Sequence, residues 1–114
     1  MSAPPHSVFI LARVVDEVLA FCRRREPNEA LGVLVGERCQ HEGRRYVRVT
    51  DWATGTVDAG PAHAEFTREG VVEVHIALDE RYGAERTRPQ IVGVFHSHPF
   101  GGARIRRKGE GVQL

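Results

Sequence analysis

The chain has 114 residues, of which 41% are hydrophobic and 27% are charged, and its formal net charge is +1. This length predicts one domain with a small core, and the near-neutral charge argues against a membrane or nucleic-acid partner. Residues 1–6 (MSAPPH) lack the charged start and apolar core of a signal peptide, and no apolar run is long enough to span a membrane. We therefore expect a cytoplasmic protein, in which the isolated Cys22 and Cys39 are free thiols.

The first predicted elements are a short strand and a helix. Residues 7–11 form an apolar run that is typical of a strand or of the lead into a helix. Residues 12–25 have the periodicity of an amphipathic helix, which ends in three arginines and is stopped by Pro27. The apolar residues of the predicted buried face are Leu11, Val15, Val18, Leu19 and Cys22.

Two strands are predicted next, followed by a long loop. Residues 30–36 (ALGVLVG) are almost wholly apolar, which indicates a buried central strand. Residues 37–44 are polar and contain Gly43, so we expect a hairpin loop there. Residues 46–52 alternate between apolar and polar side chains as in a half-buried strand, and residues 53–65 contain the glycines and proline of a loop.

A second helix is predicted over residues 67–82, with Thr67 as its N-cap and Gly83 as its terminator. Its predicted buried face consists of Val71, Val74, Leu78 and Tyr82. His75 falls on the same face, where a core histidine is expected rather than a metal ligand. A polar loop then leads to a last apolar strand. This order of elements predicts a mixed α/β domain in which the helices pack on a small β-sheet.

The most informative segment is this last strand, because residues 91–100 read IVGVFHSHPF. His96 and His98 are separated by one residue on an apolar strand, so both imidazoles point to the same face. Two imidazoles on one face offer two ligands to a single metal ion, and zinc is the usual candidate where histidine and carboxylate meet. The alternative is a pair of ordinary histidines at the end of a strand.

Glu29 is the best candidate for a carboxylate that works beside such a metal. A catalytic zinc has three protein ligands and an open position for water, with a base nearby to take a proton. Glu29 directly precedes the buried strand at residues 30–36, where a charge needs a partner. A solvated carboxylate at the start of a strand is the alternative.

Together these two segments resemble one known family. Residues 29–36 (EALGVLVG) resemble the E-x-x-G-x-L-x-G strand of the JAMM (Jab/MPN, Mov34-type) zinc metallopeptidase domain, and IVGVFHSHPFGG resembles its hallmark strand with the His-[Ser/Thr]-His-Pro motif. The resemblance spans roughly residues 8–102. It implies an α/β fold with helices packed on a mixed β-sheet, as in the cytidine-deaminase-like sandwich. In such a fold, Gly32 and Gly36 would let neighbouring backbone approach the central strand closely.

The resemblance also implies an activity, which is zinc-dependent hydrolysis of amide or isopeptide bonds. The usual substrates of the family are conjugates of ubiquitin-like or sulfur-carrier proteins. By position, His96 and His98 would be zinc ligands, and Glu29 would act as general acid/base on the water activated there. Ser97, between the two ligands, would point to the opposite face and have a structural role.

The family pattern is incomplete toward the C-terminus. After the second histidine, family members have seven residues, a serine, two more residues and then an aspartate, which is the third zinc ligand. The serine, which helps to stabilise the oxyanion in the family, falls on Arg106, and the aspartate falls on Gly109, which has no carboxylate. Glu110 lies one residue further on and is the candidate surrogate ligand.

Three interpretations follow from this departure. The chain is a working zinc peptidase whose site is completed by Glu110, by water or by a partner chain; or a catalytically inactive MPN-like protein-binding scaffold; or a truncated or frame-shifted gene product. We divide it into a JAMM/MPN-like domain at residues 1–102 and a basic, flexible tail at residues 103–114. Because family members continue with further strand and helix, we expect marginal stability or a protein partner that completes the domain.

Overall fold

Residues 7–99 are described by the computed structural model, and they contain six strands and two helices. The elements are β1 (Ser7–Ile10), α1 (Ala12–Arg25), β2 (Leu31–His41), β3 (Arg44–Ala53), β4 (Val57–Gly60), β5 (His63–Phe66), α2 (Arg68–Tyr82) and β6 (Gln90–His96). The predicted α/β class, with helices packed on a mixed sheet, is confirmed. Neither helix in this part of the chain is long and apolar enough to cross a membrane.

Four strands form the main sheet in the order β1-β3-β2-β6. β1 pairs with β3 in parallel, whereas β2 pairs with β3 and with β6 in antiparallel fashion, so the sheet is mixed. The apolar first half of β2 is mostly buried, as expected of an internal strand that is covered on both faces. This topology sets the segment that follows Glu29 beside β6, the strand that ends at His96.

α1 packs on one face of the sheet through an aromatic cluster. The Phe21 ring lies 5.2 Å from the Trp52 ring and 6.2 Å from the Phe95 ring, centroid to centroid. The helix has the predicted bounds, but the predicted buried face is wrong: Val14 and Phe21 are buried, whereas Val15 is 39% exposed. The apolar residues of this helix cover a wide arc, and the aromatic rings from the sheet decide which part of the arc is buried.

α2 packs on the opposite face. Ala53 follows Trp52 on β3, and consecutive strand residues point to opposite sides, so Ala53 faces away from the aromatic cluster. The core on this side consists of Val33, Val35, Ala53, Val74 and Leu78. The predicted caps of α2 are confirmed, since Thr67 Oγ1 accepts a hydrogen bond from Gly70 N–H at 2.9 Å and Gly83 ends the helix with φ at +69°.

The predicted core position of His75 is wrong. α2 turns Gly70, Val74 and Leu78 toward the sheet, and His75 is exposed. Val71, which the sequence also placed on the buried face, is 46% exposed. Val74 and Leu78 are buried and Tyr82 packs against the core, so the rest of the predicted face of α2 is confirmed.

A polar network ties the end of α2 to β3. The Tyr82 hydroxyl donates a hydrogen bond to Asp51, and the Arg81 guanidinium lies 3.0 Å from the same carboxylate and 2.7 Å from the Trp52 carbonyl oxygen. Burial works to raise the pKa of Asp51, but the hydrogen bonds from Tyr82 and from Trp52 N–H, with the charge of Arg81, outweigh it and lower that pKa. Asp51 is therefore stabilised in its ionised form.

The predicted hairpin at residues 37–44 is confirmed, but its loop is shorter than predicted, because β2 and β3 continue into this segment. Only Glu42 and Gly43 form the turn, with φ at +50° and +76°, as in tight two-residue hairpins. Residues 37–41 are mostly exposed. A strand without a buried face has no apolar alternation, and its sequence therefore reads as a loop.

The predicted loop at residues 53–65 is wrong, since it contains a second hairpin. β4 and β5 pair in antiparallel fashion from Val57 with Phe66 to Gly60 with His63. Each strand has four residues and includes alanine or glycine, which have weak β-propensity. The predicted division between residues 1–102 and 103–114, and the tail itself, lie outside the described residues.

Candidate metal centre

The two predicted histidine ligands lie together at the end of β6. The Nε2 atoms of His96 and His98 are 3.2 Å apart. Two zinc–imidazole bonds of about 2.0–2.1 Å at a tetrahedral angle separate the two nitrogens by about 3.3–3.4 Å. Without a metal, the same separation suits one N–H···N hydrogen bond between the rings. The pair therefore fits two positions of one tetrahedral zinc. His96 is exposed, so solvent reaches this end of β6.

Glu29 lies just before β2, the strand that pairs with β6, which ends at His96. The first residue of β2 is opposite His96 in the antiparallel pairing with β6. Ser97 N–H donates to the Ala30 carbonyl oxygen at 3.0 Å, which continues the same register by one residue. Glu29 then falls opposite His98, and opposite residues of antiparallel strands point to the same face. The register thus sets Glu29 and both imidazoles on one face.

Glu29 is 7% exposed, and its backbone is joined to the second hairpin. Its backbone N–H donates to the Gly60 carbonyl oxygen at 2.9 Å, which anchors the tip of the β4–β5 hairpin beside the site. Among residues 7–99, its carboxylate forms no ion pair, and no fully buried side-chain oxygen or nitrogen lacks a hydrogen-bond partner. The stem of Glu29 is therefore enclosed, while its carboxylate is free of structural cations.

Ser97 joins the end of β6 to the start of β2. It is 7% exposed, and its Oγ accepts a hydrogen bond from Ala30 N–H at 2.8 Å. Together with the hydrogen bond from Ser97 N–H to the Ala30 carbonyl oxygen, this contact holds Ala30 against Ser97. Ala30 follows Glu29, and Ser97 lies between the two histidines. A structural role for Ser97, on the side away from the imidazoles, agrees with this burial.

Cys22 of α1 contacts Ser97 from that other side of the sheet. Burial raises the pKa of the Cys22 thiol, and a hydrogen bond with Ser97 works in the opposite direction. The thiol is therefore neutral at physiological pH and serves as a packing group behind the site. Cys22 and Cys39 are both free thiols, as predicted.

The two glycines of the central strand allow the close approaches that the sequence predicted. A Cβ on Gly32 would lie 2.4 Å from the Phe95 ring, and a Cβ on Gly36 would lie 1.9 Å from the Arg48 carbonyl oxygen. Sequence reasoning missed the contact of Gly60 with Glu29, because it depends on a hairpin that was predicted as a loop. The Gly60-Pro61 pair, a turn signal between two short runs, is the one sequence feature that points to this hairpin.

A third metal ligand is not brought to the pair by the described residues. Within residues 7–99, no group of three or more histidine, cysteine, aspartate or glutamate side chains is placed to hold one ion. Glu29, His96 and His98 therefore do not form a three-ligand group in this part of the chain. Glu110, the candidate surrogate ligand, lies outside the described residues, as do Arg106 and Gly109.

The family model for prokaryotic homologs of the JAB domain matches residues 11–104, which is most of the chain. The match includes both segments of the site, from Glu29 to His98. The chain therefore belongs to this family of JAB domain homologues. No curated protein matches the chain significantly.

Proposed function

We propose that the chain is a zinc-dependent metallopeptidase or isopeptidase, which hydrolyses an amide or isopeptide bond to a ubiquitin-like or sulfur-carrier protein. The observation that carries this proposal is the pair of imidazole nitrogens 3.2 Å apart, on the same face as the enclosed Glu29. Membership of the JAB family supports it as well.

Each residue of the site has a distinct part in this reaction. His96 and His98 hold the metal through Nε2. When bound, zinc supplies Lewis acidity for the scissile carbonyl and for the attacking water. The Glu29 carboxylate accepts a proton from that water and delivers it to the leaving amine nitrogen. Ser97 keeps Glu29 and the two rings in register through its hydrogen bonds to Ala30.

The third ligand position of the zinc, beside the position of the attacking water, is left to a group from outside the described residues. Glu110, a water molecule or a carboxylate of a partner chain are the three sources that the chemistry allows. With only two fixed ligands, zinc is expected to bind more weakly than at a site with three protein ligands.

The experiment is a cleavage assay on the full chain loaded with zinc. The substrate is a ubiquitin-like protein whose C-terminal carboxyl is joined by an isopeptide bond to a lysine peptide, and the products are measured by mass. We expect Glu29→Gln to lose at least about 100-fold in rate while it keeps its zinc, because proton transfer by a positioned base contributes about 10²–10⁴-fold. His98→Ala should lose both zinc and activity, and the exposed control His75→Ala should keep both. Cleavage that survives Glu29→Gln would contradict the assigned mechanism.

A catalytically inactive, protein-binding scaffold is the second candidate function. The observation that favours it is the absence of a third ligand among residues 7–99. A scaffold should fold and melt at the same temperature with and without zinc, whereas a zinc enzyme is stabilised by an amount that grows with the free zinc concentration.

A further inference from the structure

A second surface with recognition chemistry lies at the far end of the β2–β3 hairpin. It is an open depression of about 460 Å³, a volume in the range of small-molecule sites. It is lined by Ser7, Phe9, His41, Arg44, Arg45 and Tyr46. A strand rises about 3.3 Å per residue, so His41 lies roughly 30 Å along β2 from the residue that faces His96. The depression is therefore separate from the candidate metal centre.

Phe9 and Tyr46 form the apolar part of this depression. Their ring centroids are 5.7 Å apart and the rings meet edge to face at 86°. Phe9 is 59% exposed, so most of its ring is open to a ligand. An exposed aromatic ring on a strand is a stacking platform for a planar group such as a nucleobase.

Arg44 supplies the charge beside this platform. Among residues 7–99, its guanidinium forms no ion pair with a carboxylate. His41 is opposite Arg44 on the hairpin, but its ring lies 3.9 Å from Glu42, so we assign an incoming anion to Arg44. Arg45 is the next residue of β3, and its side chain points to the opposite face of the sheet. A guanidinium binds phosphate with paired hydrogen bonds, which suits a phosphate attached to the stacked group.

We propose that this depression binds a free nucleotide, with its base stacked on Phe9 and its phosphate held by Arg44, which shares the face of Tyr46 on β3. An acidic peptide would satisfy Arg44 and leave the aromatic ring without a partner. A nucleic-acid strand needs a basic track that follows several phosphates, whereas this chain has a net charge of +1 and two arginines in a single depression. One base with its phosphate matches the size and charge of the site.

The test is a titration of the isotope-labelled full chain with AMP, followed by its amide NMR shifts. Adenosine, inorganic phosphate and a short oligouridylate are titrated in parallel. AMP should shift amides of β1 and of the β2–β3 hairpin, and adenosine and phosphate should each bind at least about tenfold more weakly. Phe9→Ala should weaken AMP binding by about 5- to 150-fold, the loss expected for one stacking contact.

Two further variants separate the phosphate contact from the rest. An Arg44→Gln variant should weaken AMP binding by about tenfold or more and leave adenosine binding unchanged. Arg24→Gln, an exposed arginine of α1, is the matched control and should have no effect. The proposal is overturned if millimolar AMP shifts no amides, if it shifts amides elsewhere, or if the variants bind AMP as the parent chain does. Oligouridylate that binds tenfold or more tightly than AMP would overturn the free nucleotide in favour of a strand.

Discussion

Replacing Ser97 with alanine tests whether the link between β6 and β2 positions the candidate site. The substitution removes the Oγ atom that accepts the Ala30 N–H at 2.8 Å, where Ala30 is 2% and Ser97 is 7% exposed. A buried N–H that loses its partner costs about 1–3 kcal/mol. Because the change removes a single oxygen atom, we expect this cost to account for most of the lost free energy of unfolding.

The assay is urea unfolding of the full chain, followed by zinc titration of the same variants. Ser97→Ala should lower the urea midpoint with an unchanged slope, which corresponds to the loss of about 1–3 kcal/mol. Ser97→Thr retains the hydroxyl and should therefore recover most of the lost free energy of unfolding. Val14→Ala, in the buried core under α1, is a control with a stability loss of similar size, about 1–3 kcal/mol.

Zinc affinity distinguishes positioning from a general loss of stability. Groups that orient metal ligands typically change affinity by about 10–100-fold, so Ser97→Ala should bind zinc more weakly by this factor and Val14→Ala should not. The positioning role of Ser97 is refuted if Ser97→Ala unfolds like the parent chain. It is also refuted if Val14→Ala loses as much zinc affinity as Ser97→Ala.

Three other substitutions, one of them with a matched glycine control, test the fold. Gly36→Ala should destabilise the chain by about 1–3 kcal/mol or more, because its Cβ would lie 1.9 Å from the Arg48 carbonyl oxygen. Gly93→Ala is the control. Its Cβ would be 3.8 Å from the nearest neighbouring atom, so the urea midpoint should hardly change. The lowered pKa of Asp51 contributes stability that is present above its ordinary pKa and lost as the pH falls through its folded-state value, so Asp51→Asn should flatten the loss of stability below about pH 4. Thr67→Ala removes the N-cap of α2 and should cost about 1 kcal/mol.

Each of these expectations has a contrary result. Equal urea midpoints for Gly36→Ala and Gly93→Ala would show that β3 is not held against β2 as described. An unchanged acid-unfolding curve for Asp51→Asn would remove the network with Tyr82 as a source of stability. A helix that tolerates Thr67→Ala without loss would mean that the cap is satisfied in another way.

The elements that the sequence predicted correctly are those whose signal is local. Both helices were predicted within a residue of their bounds, because periodicity, caps and terminators lie within the segments themselves. The buried face of α1 was not predicted, since Phe21 is buried through contacts with Trp52 and Phe95, which come from distant parts of the chain. The β4–β5 hairpin was missed for the same reason, because tertiary contacts hold its short strands.

The candidate site divides in a similar way. The spacing of His96 and His98 predicts two ligands on one face, and the apolar strand after Glu29 singles out that carboxylate as a charge that needs a partner. The hydrogen bonds that join these segments, through Ser97 and Gly60, connect residues far apart in sequence and leave no periodic pattern. Their placement could be seen only once the strands were paired.

The zinc content of the full chain is the measurement that shows most directly whether His96 and His98 hold a metal ion. Elemental analysis is made on the parent chain, on His98→Ala, and on His75→Ala as the control with an exposed histidine outside the site. After equilibration with zinc in excess of its dissociation constant, and with the zinc of the buffer subtracted, we expect close to one zinc per chain in the parent and in His75→Ala, and its loss in His98→Ala. Zinc that is absent from the parent chain, or equally present in His98→Ala, would contradict the assignment of the metal to the histidine pair.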